Sequence, residues 1–134
     1  MNVEPDFFIR EIMPRTDHAT VVTLSGDLGA GKTTFAQGVA RALGIDEHVT
    51  SPTFVIENIY ELDGKKWSRL IHIDAYRLKN ADELRALGWD EIIANPGNLI
   101  VLEWPERVEG IIPEDAIKLR FDLHGDEHVV AVKK

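Results

Sequence analysis

Apolar positions along the chain fall into short runs separated by turn residues, and their spacing changes from one segment to the next. Phe7-Phe8-Ile9-Arg10-Glu11-Ile12 reads as a short extended piece, leading through Pro14 to the β-branched run Ala19-Thr20-Val21-Val22-Thr23-Leu24. That run is closed by Ser25-Gly26, as expected of a buried strand. After a Gly-rich turn, Phe35, Val39 and Leu43 recur every fourth residue with Ala36 and Ala40 beside them. This is one apolar stripe of a helix, stopped by Gly44. Phe54–Tyr60 and Trp67–Ile73 flank Asp63-Gly64 and predict a β-hairpin. A helix is expected from Asn80, where Asn80-x-x-Glu83 resembles a capping box and Leu84 and Leu87 supply its apolar face. Pro96-Gly97-Asn98 precedes a strand over Leu99–Glu103, and two final strands, Ala116–Leu123 and His128–Val132, flank Gly125-Asp126. Strands alternating with helices, then strands alone, predict an α/β domain with an antiparallel flank.

Composition narrows this picture. A chain of 134 residues, 44% hydrophobic and 28% charged, fits one globular domain over residues 1–134. With no cysteine, disulfides, thiolate nucleophiles and cysteine metal sites are excluded. The balance of 15 Lys+Arg against 23 Asp+Glu, net charge -8, argues against non-specific phosphate gripping on nucleic acid. The first residues, Met1 to Asp6, lack the basic and apolar regions of a signal peptide. The longest apolar runs are strand-length, well short of the ~20 residues that span a bilayer. A cytoplasmic protein without membrane contact is expected.

The sharpest chemical signal is Gly26-Asp27-Leu28-Gly29-Ala30-Gly31-Lys32-Thr33-Thr34, which contains Gly-x-x-x-x-Gly-Lys-Thr between a predicted strand and a predicted helix. Glycines let successive backbone N–H groups turn inward around an anion, and the helix N-terminus adds partial positive charge. Lys32 can reach the β- and γ-phosphates of a nucleotide, and the Thr33 hydroxyl can ligate Mg²⁺. This is a nucleotide-binding P-loop.

Such a loop needs a carboxylate near the metal, commonly at the end of a neighbouring strand. Asp74 follows Leu70-Ile71-His72-Ile73 and Glu103 follows Leu99-Ile100-Val101-Leu102; either can meet Mg²⁺ or orient the attacking water. Thr50-Ser51-Pro52-Thr53 reads equally as a hydroxyl-stabilised turn or as a switch sensing the γ-phosphate. His124-x-x-x-His128 has a metal-like spacing, but Gly125-Asp126 argues against the helix that zinc binding needs there. Trp67 and Trp89 are expected in packing roles, Trp104 stands beside Glu103, and Arg77 suits phosphate, a partner or a surface ion pair.

Together these motifs resemble the TsaE (YjeE) family, bacterial ATPases of tRNA threonylcarbamoyladenosine biosynthesis. The resemblance rests on Gly26–Phe35, Thr50-Ser51-Pro52-Thr53-Phe54, His72-x-Asp74-x-Tyr76-Arg77-Leu78, Glu83-Leu84…Leu87-Gly88 and Leu102-Glu103-Trp104-Pro105-Glu106, in the family's order. It implies a P-loop nucleoside triphosphatase fold: a central, mostly parallel sheet flanked by helices, with an antiparallel hairpin and C-terminal strands. It implies a Mg²⁺-dependent ATPase that resets the TsaD–TsaB transfer complex, meeting tRNA only through that complex. By family pattern, Gly29, Ala30, Gly31, Lys32, Thr33 and Thr34 bind ATP, and Thr33 and Glu103 hold Mg²⁺. Lys32 and Asp74 then serve hydrolysis. Pro5 and Pro14 preclude the full amphipathic helix with which family members usually begin, and His128 stands where many carry a nucleotide-binding Arg. Two other readings fit a phosphate loop: a nucleotide-gated binding module with negligible hydrolysis, and a small-molecule kinase. A kinase should carry an Arg-rich lid, whereas Arg85, Arg107 and Arg120 are scattered. A GTPase is disfavoured because no Asn-Lys-x-Asp element occurs.

Overall fold

The computed structural model describes residues 4–26, 31–45, 57–62, 66–124 and 127–133, with backbone alone from residue 122 onward. Its elements are α1 (Pro5–Glu11), β1 (Thr20–Gly26), α2 (Lys32–Ala42), β2 (Glu57–Glu61), β3 (Arg69–Asp74), α3 (Ala81–Arg85), α4 (Trp89–Ala94), β4 (Asn98–Glu103), a 3₁₀ segment (Pro105–Ile111), β5 (Ile117–His124) and β6 (Glu127–Lys133). The six strands form one sheet in the order β2-β3-β4-β1-β5-β6. The junctions β3/β4, β4/β1 and β1/β5 are parallel, while β2 and β6 pair antiparallel at the two edges. The expected mostly parallel sheet with an antiparallel hairpin and C-terminal strands is what forms.

The hydrophobic pattern explains the layering. Leu99-Ile100-Val101-Leu102 is an unbroken apolar run because β4 is central, with all six of its residues buried. Alternate residues serve two cores. Val22, Leu24, Leu70, Leu99 and Val101 pack with α1 and α2, and Val21, Ile71, Ile73, Ile100 and Leu102 pack with α3 and α4. On α2 the expected stripe is present: Phe35, Ala36, Val39 and Ala40 are buried, Leu43 packs beside them, and Gly44 follows with φ +88°. Trp67 and Trp89 are both buried core residues, as their packing roles require.

Three expectations change. Residues 7–11 are helical rather than extended, because α1 makes two turns over Pro5–Glu11 and only Ile12 returns to extended backbone. Pro5 sits where its missing N–H costs nothing, Asp6 lies in the first turn, and Phe8 and Ile9 both enter the core. Phe8 meets Phe35 edge-on at 5.6 Å, and Phe35 meets Phe121 at 5.4 Å. A Cβ on Gly38 would come within 2.6 Å of Pro5, so glycine permits the close approach of α1 to α2. The helix from Asn80 is also shorter than expected. Asn80 caps it by accepting the Glu83 N–H, but it ends at Arg85, leaving Leu87 exposed before Gly88 turns the chain into α4. Finally, Pro105–Ile111 coils into a 3₁₀ segment that no periodicity announces. Residues 50–53, the turn or switch, the start of the 54–60 run and the turns at 63–64 and 125–126 lie outside the described residues. Among described residues no helix is long and apolar enough to cross a membrane.

The approach to β1 is tied to the approach to β5 by His18. Its Nδ1 lies 2.7 Å from the Ala19 carbonyl and its Nε2 lies 2.9 Å from Asp115, which also meets Arg15. The Ala19 carbonyl, aided by Asp115 and Asp17, raises the His18 pKa above its ordinary 6.5 against the opposing effect of partial burial. The fold therefore favours the protonated ring. Its stabilising contribution is complete below 6.5 and is lost as pH rises through the raised folded-state value. Denaturant unfolding at about pH 6 and about pH 8.5 should show wild type losing more stability than His18→Gln over that interval. Equal losses would contradict the linkage.

Candidate functional site

The P-loop sequence joins the end of β1 to the start of α2, as its chemistry requires. Gly31, Lys32, Thr33 and Thr34 are described at the head of α2, whereas Gly29 and Ala30 lie outside the described residues. Gly26 ends β1 with φ +130°, and a Cβ there would sit 2.0 Å from the Phe121 carbonyl oxygen on β5. Only glycine can turn the chain out of the sheet at that point.

Three neighbouring strand ends then converge on the helix start. Parallel pairing places Leu24 opposite Glu103 and Glu103 opposite Asp74. Because Leu70 and Val101 face α2, strand alternation turns His72, Asp74 and Glu103 to the same side. The Thr33 hydroxyl donates to Glu103 Oε1 at 3.1 Å and contacts Oε2 at 3.3 Å. His72 Nε2 lies 2.6 Å from Oε2, and both residues are only 2% exposed. The Trp104 N–H donates to Leu24 O at 3.1 Å, and the Ala75 N–H donates to Glu103 O at 3.0 Å. The carboxylate thus sits on backbone fixed from both sides.

Asp74 is half-buried and accepts the Tyr76 N–H at 3.0 Å. Burial pushes its carboxyl pKa above the ordinary 3.8, the Tyr76 hydrogen bond opposes this, and neighbouring Glu103 adds to the rise while His72 and Lys32 counter it. Lys32 is buried, its ammonium donating to the Gly26 carbonyl at 2.6 Å and lying 3.4 Å from the centre of the Trp104 ring. Trp104 reaches that position through a left-handed backbone, φ 61° and ψ 54°, an unusual conformation for a large side chain. Its other ring neighbour is exposed Tyr76 at 5.0 Å, and the Arg107 guanidinium lies 5.5 Å from the Tyr76 ring.

The residues singled out from sequence therefore divide clearly. Lys32, Thr33, Asp74, Glu103 and Trp104 are brought together, and Arg77 lies exposed three residues beyond Asp74. The side chains of His124 and His128 lie outside the described residues, and no group of three metal-ligating side chains occurs among the described ones. His72 and Tyr76 escaped sequence reasoning as site groups. The signal for His72 was its place two residues before Asp74, a polar residue inside an otherwise apolar run. A hydroxyl and a carboxylate already in contact, with a second carboxylate in register beside them, offer the hard oxygen donors that suit Mg²⁺. Lys32 and the first turn of α2 suit phosphate.

A family model described as "Threonylcarbamoyl adenosine biosynthesis protein TsaE" matches residues 5–130. The chain is 37% identical over 111 residues to the Haemophilus influenzae protein named tRNA threonylcarbamoyladenosine biosynthesis protein TsaE, covering 83% of this chain and 68% of that one. It is 39% identical over 111 residues to the Borreliella burgdorferi protein of the same name, covering 82% and 78%. The crystal structure of YdiB from Bacillus subtilis is similar with a TM-score of 0.63 and 32% identity, covering 88% of this chain and 72% of that one.

The raised Asp74 pKa carries a stability consequence. A carboxyl group held above its ordinary value contributes stability below 3.8 that is lost as pH rises through the folded-state value. Asparagine can still accept the Tyr76 N–H but carries no charge to desolvate. Asp74→Asn should therefore be more stable than wild type at about pH 7, with the difference shrinking toward pH 3.8. Thermal unfolding across that range measures it, and a variant less stable at neutral pH contradicts the argument.

Proposed function

The chain belongs to the TsaE family of threonylcarbamoyl adenosine biosynthesis proteins, and we propose that within it this protein is a Mg²⁺-dependent ATPase whose turnover resets the TsaD–TsaB transfer complex. The observation that carries the reading is the contact of Thr33 with Glu103, which links the P-loop helix to the strand-end carboxylates. In this reading the backbone N–H groups from Gly29 to Thr34 cradle the phosphates, and Lys32 neutralises the β- and γ-phosphate oxygens. Thr33 and Glu103 hold Mg²⁺, which when bound supplies positive charge against the phosphate oxygens. Asp74 orients the water that attacks the γ-phosphorus. The environment that lifts its pKa makes it a better hydrogen-bond acceptor than an ordinary surface aspartate. We place the protein in the cytoplasm, with tRNA met only through the partners.

Lys32 also bears on speed. Its ammonium is engaged by the Gly26 carbonyl and the Trp104 ring, so a phosphate must compete with contacts the chain itself provides. This favours slow hydrolysis by the isolated chain. It also keeps in view the second reading, a nucleotide-gated module that assembles without turning over. Arg107 and Tyr76 lie outward of Trp104, where a partner can reach the stack and shift it.

Steady-state phosphate release from Mg·ATP, with and without TsaD and TsaB, tests both readings. Turnover should be slow alone and rise about tenfold or more at saturating partners, within the ~10³–10⁵-fold that charge supplied in trans can give. Lys32→Ala should abolish turnover in both conditions while circular dichroism stays unchanged. Undiminished turnover in that variant sinks the P-loop assignment, and turnover that stays negligible at saturating partners favours the gated module.

A further inference from the structure

We infer that His72 is the positioning residue of the metal site: its Nε2–H holds the Glu103 carboxylate in the orientation that receives Mg²⁺. The inference rests on the Mg²⁺–nucleotide reading above and adds to it a residue that the loop motif and the two strand-end carboxylates do not include. His72 is 2% exposed in the middle of β3, and Nε2 lies 2.6 Å from Glu103 Oε2. Its other ring nitrogen, Nδ1, is buried with no hydrogen-bond partner. With the proton on Nδ1, an N–H would be buried without an acceptor, at about 1–3 kcal/mol, and a bare Nε2 would set its lone pair against the carboxylate oxygen 2.6 Å away. The proton therefore belongs on Nε2, where the carboxylate accepts it.

Glu103 has two side-chain donors, and they are not equivalent. Thr33 donates its hydroxyl hydrogen to Oε1. To ligate a cation, that hydroxyl must present an oxygen lone pair to the metal, and its hydrogen can turn elsewhere. His72 has no such second duty. Its backbone is fixed by the sheet, since β3 pairs with β4 on one side and with β2 on the other, and its side chain is buried. When Thr33 is recruited, His72 is the donor that continues to hold Oε2 and leaves Oε1 free. Hydrogen bonds to metal-binding carboxylates typically matter by about 10–100-fold in metal affinity.

The test compares His72→Leu, His72→Gln and His72→Asn in the full chain. A glutamine amide nitrogen lies the same number of bonds from Cβ as Nε2 and can reach Glu103, whereas the asparagine amide is one bond shorter. The readout is binding of a fluorescent non-hydrolysable ATP analogue, titrated with Mg²⁺ and repeated in EDTA, with thermal unfolding alongside. The Mg²⁺ concentration for half-maximal enhancement should rise about 10–100-fold in His72→Leu and His72→Asn, and His72→Gln should recover most of that loss. Metal-free nucleotide binding should be unchanged in all three. If His72→Leu does not fold, the contrast between Gln and Asn decides. Equal Mg²⁺ requirements in Gln and Asn, or a loss of metal-free binding matching the loss of metal, would overturn the positioning role. Independently of any ligand, imidazole ¹⁵N shifts of the free protein should show a proton on His72 Nε2; a bare Nε2 would also overturn it. Should wild type itself bind the analogue equally well with Mg²⁺ and EDTA, the Mg²⁺ reading fails first, whereas the tautomer result still reports on the His72–Glu103 bond.

Discussion

A carboxylate withdrawn from water costs several kcal/mol unless donors meet it, and Glu103, at 2% exposure, is placed where two elements distant in sequence supply them. Thr33 comes from the first turn of α2, His72 from β3, and the backbone around Glu103 is tied to Leu24 of β1 and Ala75 beyond β3. None of these donors is near in sequence: Thr33 is 70 residues away and His72 is 31. Satisfying one buried side chain therefore specifies the β3/β4/β1 register and the seat of α2 together. A slip of one residue in β3 would turn His72 to the opposite core and leave Glu103 without it. The same register sets Asp74 beside Glu103, so the packing requirement and the proposed chemistry are fixed by one arrangement.

Around that centre the molecule holds conformations that packing alone does not favour. Trp104 occupies the left-handed region, Lys32 is buried against its ring, and Asp74 carries a carboxyl group whose ionisation burial opposes. Left-handed backbone for a non-glycine residue costs about 1–2 kcal/mol, and a cation desolvated on an indole face recovers about 2 kcal/mol. The two are of similar size, so the Lys32 contact offsets much of the backbone cost at Trp104. A strained backbone just after β4, beside a desolvated lysine and a desolvated carboxyl group, is the usual mark of a site kept for function rather than stability.

How far the sequence reveals all this depends on whether a feature is local. The strands and α2 are written in periodicity, and the phosphate loop in glycine spacing, because each is decided within a few neighbouring residues. Asp74 and Glu103 could be found because strand ends are where such sheets meet ligands. The dual capability of each remained open, since their separate environments arise only from pairing across the sheet. His72 was hidden in Leu70-Ile71-His72-Ile73, where a lone polar residue reads as part of a buried run until its partner is known. Phe7-Phe8-Ile9 has strand composition, yet it forms α1, because docking onto Gly38 and Phe35 decides its shape. Leu87 fits the apolar face of a longer helix by spacing, but α3 ends too early to present it.

The central claim is that Glu103 and the P-loop helix form one metal-dependent nucleotide site. Isothermal titration of ATP into Glu103→Gln and wild type, each in Mg²⁺ and in EDTA at low temperature to suppress turnover, tests it most directly. Glutamine keeps the shape of the side chain and a hydrogen-bonding oxygen but removes the anionic ligand. The account predicts that Mg²⁺ strengthens ATP binding in wild type and that this advantage is largely lost in Glu103→Gln, with the affinities in EDTA alike. An equal Mg²⁺ advantage in both proteins would contradict it.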